Sequence, residues 1–162
     1  MTENPTAITF QPIGFVHSPF AQRERNMPRQ PCDAAALPAE LRILPEFREG
    51  LADLDGFDRL WVISYFHQSR PAGLHVHPPI DDQERGVFAT RSPDRPNPIG
   101  ISSAKVVSVD HTSGIIRIER TELVDGTPIL DIKPYIPESD AFPDSAAGWH
   151  DLARQRSKES PR

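Results

Sequence analysis

LWVISYF, residues 60–66, is the strongest strand signal in the chain. It is continuous, β-branched and aromatic, which predicts a strand buried on both faces. Toward the C-terminus, residues 68–85 read as loop, Gly86 to Thr90 as a short strand and SSAKVVSV (102–109) as a longer one. Asp110 to Gly114 reads as a hairpin turn, with Ile115, Ile116 and Ile118 on the return strand and Pro128 to Ile132 on a further one. Toward the N-terminus, Ile8, Phe10, Ile13, Phe15 and Val16 form a strand candidate, with Pro12 and Gly14 suggesting an edge or bulge. Residues 18–40 read as irregular, and Glu46 to Leu54 as a short helix ended near Gly56. Residues 137–144 are proline-spotted loop, and Ser145 to Gln155 suit a short terminal helix.

About six short strands without alternating long helices predict a mainly β fold. The expectation is a single-domain β-barrel-like core with short helices and long proline-rich loops, and not a doubly wound α/β sheet. The limits expected are a disordered N-terminus over 1–7, the barrel domain over 8–144, and a short helix with a disordered tail over 145–162, the disorder starting at 156.

The composition agrees. A chain of 162 residues suits one domain at roughly 150 residues each. At that size about two thirds of the unfolded surface is buried, enough for a core without disulfides. The 18 prolines are about twice the average usage of roughly 5%; they end helices and central strands. A net charge of −5 excludes a chain that is basic throughout and leaves room for a local basic patch. Cys32 is the sole cysteine, so no intrachain disulfide or Cys₂ zinc site can form, and a reducing cytoplasm fits. The N-terminus has no secretory pattern, and no run of 18 apolar residues would span a membrane. Dinucleotide-binding and Walker loops and internal repeats are absent.

Four segments carry the polar chemistry. RGVFATRSPDRPNPIG (85–100) sets Arg85, Arg91, Arg95 and Asn97 among Pro93, Pro96 and Pro98. A proline-stiffened loop preorganises such groups for an anion or a base; the plain alternative is a rigid connector with solvated arginines. ELVDGTPILDIKPYI (122–136) opens on the turn Asp125-Gly126-Thr127, where a simple hairpin turn competes with a loop offering a carboxylate, amides and a hydroxyl. Asp131, Lys133 and Tyr135 alternate on one face, and Leu130, Ile132 and Ile136 fall on the opposite, core-side face. Pro28-Arg29-Gln30-Pro31 places a planar cation and an amide between prolines, suited to carboxylates or nucleobase edges. His67-Gln68 follows the 60–66 strand. His75-x-His77 shares a face if extended, yet two ligands do not make a metal site, and none is expected. Cys32 lacks a recognisable nucleophile motif.

Taken together, PRQ (28–30), FHQ (66–68), GVFATRSPDRPNPIG (86–100) and LVDGTPILDIKPYIP (123–137) resemble the TrmO (TsaA/YaeB-like) family from about Phe10 to Asp144. The resemblance implies a β-barrel-like domain that uses S-adenosyl-L-methionine as methyl donor. It implies a homodimer with sites near the interface, and methylation of N6-threonylcarbamoyladenosine in tRNA, at the adenosine 3′ of the anticodon. The cofactor contacts it implies are Pro28, Arg29, Gln30, His67, Gln68, Arg91, Ile101, Asp125, Gly126 and Thr127. Two departures stand out. The chain is expected to lack the C-terminal domain of fuller bacterial members, and Asp94 stands where members often carry an apolar residue.

The residues suit this chemistry. A carboxylate such as Asp125 fits the cationic end of the cofactor, Arg91 or Arg29 its carboxylate, and amides of the Gly-Thr turn its adenine edge. Methyl transfer is an in-line displacement in which positioning does much of the work. A base would take the proton of the acceptor nitrogen; His67 is the candidate, with Asp131 behind it. Arg95, Asn97 and Lys133 are expected substrate contacts, to base or phosphate. Two other functions fit the same residues: a non-catalytic S-adenosylmethionine-binding module, and a methyltransferase for a smaller acceptor. Convergence of Arg23, Arg25, Arg29, Arg85, Arg91 and Arg95 would favour RNA.

Overall fold

Eight strands, joined by loops and a few short helical segments, make up a computed structural model that describes residues 7–23, 27–33, 37–71 and 73–159. They are β1 (Gly14–His17), β2 (Pro38–Ile43), β3 (Arg59–Tyr65), β4 (His75–Val76), β5 (Arg85–Gly86), β6 (Ile99–Asp110), β7 (Ile115–Glu119) and β8 (Pro128–Pro134). Six close into an antiparallel barrel in the order β1-β2-β7-β6-β3-β8, with β1 pairing back onto β8. The mainly β barrel expected from the sequence is therefore the observed fold.

β3 departs from the expected double burial. Leu60, Val62 and Ser64 are fully buried, whereas Trp61 and Ile63 are half-buried and Tyr65 is exposed. A barrel wall turns only alternate side chains inward, so its strands alternate even when the sequence is apolar throughout. The same periodicity explains β2, which lies partly in the segment read as irregular. Ala39, Leu41 and Ile43 point inward, and Glu40 and Arg42 outward. Leu41, Leu60, Val62, Ile116, Ile118 and Ile129 form the centre of the core.

β8 carries a second correction. Its pairing with β3 jumps from Ile63↔Asp131 to Ser64↔Ile129, leaving Leu130 as the extra residue of a bulge. The bulge changes the side-chain parity. Ile129 is fully buried and Ile132 packs on the core, while Leu130, expected inward, is half-buried.

The hairpin at 110–114 is as expected. Asp110 Oδ1 accepts the N–H groups of Thr112 and Ser113 at 3.0 and 3.1 Å, and Gly114 closes the turn at φ 74°. Elsewhere the boundaries move. Ile8 and Phe10 lie outside β1 and are exposed. The helix expected over 46–54 is a 3₁₀ turn at Pro45–Leu51. The strand expected over 86–90 is mostly a 3₁₀ turn at Val87–Ala89. α1 (Pro137–Asp140) interrupts the expected loop, and α2 (Trp149–Glu159) runs into the stretch expected to be disordered.

The chain divides into two compact units. The first holds the barrel, residues up to Gln68 plus Ile99–Tyr135; the second comprises Ser69–Pro98 and Ile136–Arg162. Residues 1–6 and 160–162 of the expected disordered ends lie outside the described residues.

The second unit is organised around Asp81, whose side chain is only 2% exposed. Arg85 donates to its Oδ2 from Nε at 3.0 Å and Nη2 at 2.5 Å, and Arg156 to Oδ1 at 3.0 Å. The Arg85 guanidinium lies 5.2 Å from the Trp149 ring centre, and Trp149 Nε1–H donates to the Ala89 carbonyl at 2.9 Å. The Arg85 hydrogen bond holds the Asp81 carboxyl below its ordinary range against the opposing effect of burial; the charges of Arg85 and Arg156 add to the lowering. A lowered carboxyl stabilises the fold above its unfolded value of about 3.9 and stops doing so as pH falls through the folded value. Asp81→Asn is therefore expected to lower the melting temperature near neutral pH, with the gap closing below pH ~4. Melting curves across that range check this; a gap unchanged in acid would show that charge is not what Asp81 contributes.

Candidate functional site

The 125–127 turn folds because Gly126 adopts φ 74°, where a side chain would be strained. Its three amides are all engaged: Asp125 N–H with Phe20 O, Gly126 N–H with Val16 O, and Thr127 N–H with Val124 O. Thr127 is 2% exposed. The turn therefore does not offer the amides and hydroxyl expected of it, because β1 and the segment after it consume the first two amides, the third closes the turn onto Val124 O, and the hydroxyl is buried. It offers a carboxylate. Asp125 Oδ1 accepts the Ser18 N–H at 2.9 Å and lies 2.9 Å from His17 Nδ1. Oδ2 makes no hydrogen bond among the described residues, and the side chain is 42% exposed. The His17 contact, more than half exposed on its own side, orients the carboxylate and contributes at most about 1 kcal/mol.

Residues 17–23 connect this turn to a second expected site segment. Ser18 Oγ–H donates to Leu123 O at 2.7 Å and accepts the Phe20 N–H at 3.3 Å. Further along, the Arg23 N–H donates to Gln68 Oε1 at 3.0 Å, and Gln68 Nε2–H donates to Ala21 O at 3.3 Å. One strap thus ties Asp125 to Gln68 although 57 residues separate them in sequence. His17, Ser18 and Phe20 were missed by the sequence reading; the Ser18-Pro19 turn directly after a strand was the available signal.

His67 follows β3 with its N–H on Tyr65 O at 2.9 Å. Its imidazole is exposed and makes no hydrogen bond among the described residues. Asp131 is more engaged: Oδ2 is 2.8 Å from Lys133 Nζ, and Oδ1 accepts the Ile132 N–H at 2.9 Å. The hydrogen bond to Asp131, and then its charge, raise the Lys133 pKa above the ordinary lysine value. Of the two expected bases, His67 is the one with an open nitrogen. Pro28 and Gln30 are half-buried and Arg29 is exposed. Gln30 O accepts the Asp33 N–H at 3.0 Å, and the 3₁₀ turn Pro31–Asp33 lies against β6. β6 also carries Ile101, 55% exposed on the outer wall beside Ile63.

The second unit holds the remaining expected residues. Arg91 and Asn97 are exposed. Arg95 is half-buried, and its Nη1 donates to Thr90 O at 3.1 Å and Ser92 O at 3.4 Å, stapling its own loop. Asp94 is 16% exposed and accepts the Arg70 N–H at 3.0 Å. Its charge fastens the loop to Arg70. Of the six arginines whose convergence would favour RNA, Arg23 and Arg29 belong to the barrel unit, Arg85, Arg91 and Arg95 to the second unit, and Arg25 lies outside the described residues. Among the described residues no group of three or more His, Cys, Asp or Glu side chains is arranged to hold a metal. Among the same residues no helix is long and apolar enough to cross a membrane.

An exposed carboxylate with one open oxygen suits a sulfonium or ammonium cation, and exposed Arg29 of the same unit suits a carboxylate; the residues of the barrel unit fit S-adenosylmethionine.

The chain matches known proteins across this whole region. The model of the tRNA-methyltransferase O N-terminal domain matches residues 15–141. A probable S-adenosyl-L-methionine-binding protein of Pyrococcus abyssi is 42% identical over 145 residues, covering 90% of this chain and 77% of its own length. The tRNA (adenine(37)-N6)-methyltransferase of Escherichia coli is 37% identical over 152 residues, covering 89% of this chain and 64% of its own. The crystal structure of TrmO from Pseudomonas aeruginosa superposes with a TM-score of 0.75 at 36% identity, covering 90% of this chain and 64% of that one. The chain thus spans under two thirds of the length of the last two. A match over 15–141 that takes in every site segment described above, on the same barrel, places this chain in the TrmO family.

Proposed function

We propose that this chain is an S-adenosylmethionine-dependent methyltransferase acting on N6 of threonylcarbamoyladenosine in tRNA, next to the anticodon. The observation that carries it is the overlap of similarity and site. The family match over 15–141 contains the 125–127 turn, the strap beneath it, His67-Gln68 and the 85–100 loop. The E. coli relative named for the adenine-37 reaction covers most of the same chain.

When bound, S-adenosylmethionine supplies a methyl group made electrophilic by its sulfonium. In this reading Asp125 Oδ2 holds the cationic end, while Oδ1 stays committed to Ser18 and His17. Arg29 takes the α-carboxylate. The preset carboxylate loses little freedom when it engages, so positioning costs little. His67 accepts the proton from the acceptor nitrogen at its open imidazole nitrogen. Arg95, Asn97 and Lys133 contact the RNA, and Lys133 stays firmly cationic beside Asp131.

The same reading makes the chain a cytoplasmic homodimer. Outward-facing Ile63, Tyr65, Ile99 and Ile101 adjoin across the β3–β6 pairing, and the last three are more than two fifths exposed. A contiguous apolar patch of this kind supports an interface.

The test is nucleoside mass spectrometry after incubation with S-adenosylmethionine and tRNA carrying threonylcarbamoyladenosine. A gain of one methyl on that nucleoside is expected. Cofactor binding without any gain would overturn the catalytic reading. It would favour a binding module, the function in the name of the Pyrococcus relative, or a smaller acceptor.

A further inference from the structure

Phe88 is 78% exposed, more than any other large apolar side chain among the described residues. Single exposed apolar side chains are common and need no explanation. What sets Phe88 apart is the rigidity of its support. Val87 before it is 1% exposed, and its N–H donates to Leu74 O at 2.8 Å. Thr90 closes the turn onto Val87 O through both its N–H (3.1 Å) and its hydroxyl (2.9 Å). Trp149 Nε1–H holds the Ala89 carbonyl, and Trp149 is itself covered by Arg85, pinned on buried Asp81. The backbone on both sides of the ring is fixed, yet the ring stands in water.

An aromatic ring gains by burial, so this fold spends rigidity on a side chain that contributes little to the core. A rigidly held ring loses little freedom on contact with a ligand, which strengthens binding. The chain just beyond the ring is polar and cationic: exposed Arg91, then Arg95 fixed on Thr90 O and Ser92 O, then exposed Asn97. An aromatic face followed by guanidinium groups matches an unpaired nucleobase and its phosphate. Bases in an anticodon loop are unpaired and open to such stacking.

We propose that Phe88 is a stacking platform for an unpaired base of the RNA substrate. The proposal rests on the tRNA reading above and adds a contact that neither the motifs nor the comparisons assign.

The experiment compares Phe88→Ala, Phe88→Leu and Phe88→Trp in the full chain by filter binding to tRNA carrying threonylcarbamoyladenosine. Calorimetry with S-adenosylmethionine and sedimentation accompany it. Ala and Leu are expected to weaken RNA binding by about 5- to 150-fold, the loss that follows from removing one stacked base contact. Trp, which keeps an aromatic face, should bind close to wild type, and its emission should be quenched on adding RNA. Cofactor affinity and sedimentation should not change. Leu binding RNA as well as wild type would overturn the proposal, because greasiness alone would then suffice. A fall in sedimenting mass for Ala would overturn it in favour of a second copy covering the ring. Wild type methylating tRNA while Ala binds RNA unchanged would sink this proposal alone; wild type failing to bind RNA would sink the tRNA reading with it.

Discussion

Asp125→Asn should leave the barrel intact and weaken S-adenosylmethionine binding by about 10- to 150-fold in titration calorimetry, the range for losing a charge-assisted hydrogen bond. The substitution isolates charge from shape. Asparagine keeps a carbonyl oxygen where Oδ1 accepts the Ser18 N–H, so the strap over 17–23 stays in place. What disappears is the negative charge at Oδ2, the oxygen that no described residue engages. Melting temperature should change little, because the His17 contact is largely exposed and such pairs contribute at most about 1 kcal/mol. Wild-type affinity in this variant would remove Asp125 from the cofactor site. A large loss of stability would instead show that Asp125 belongs to the fold. Ser18→Ala is the companion: it leaves the carboxylate in place and removes the Ser18 Oγ contacts with Leu123 O and the Phe20 N–H.

Leu60→Ala is expected to destabilise the chain by about 2–5 kcal/mol in denaturant titration. Leu60 is fully buried on β3, the strand shared by β6 and β8 in the barrel wall. Truncation there removes apolar contacts and leaves a cavity lined by strands whose pairing prevents collapse. Ile101→Ala on the outer wall, 55% exposed, should change monomer stability by no more than about 0.5 kcal/mol. Equal losses at the two positions would mean that the inward and outward faces assigned here are wrong.

The barrel was readable because its signals are local. The hairpin at 110–114 rests on Asp110 and Gly114, whose turn preferences act within five residues. Strands β3, β6, β7 and β8 stood out through their β-branched content. β2 was missed because Pro38 and the prolines before it obscured a short alternating pattern, and its partners β1 and β7 are remote in sequence. Parity along β8 was misjudged because the bulge at Leu130 arises from pairing with β3, not from the order of its own residues.

The site divides along the same line. The residue types at 28–30, 67–68, 85–100 and 125–127 were legible, since chemistry resides in side chains and the family pattern in their order. How those groups present themselves was not. The Asp125 and Gly126 amides are consumed because β1 and the strap after it occupy that side of the turn, and the Thr127 amide closes onto Val124 O. Asp94 is fastened to Arg70, Asp131 to Lys133, and Arg85 to Asp81. The partners in the last two pairs lie within four residues of each other, whereas Asp94 and Arg70 are brought together over 24 residues by folding; which of several neighbouring groups each one pairs with is decided in the folded chain. Order along the chain selects which groups are available, and the folded geometry selects which of them remain open to a ligand.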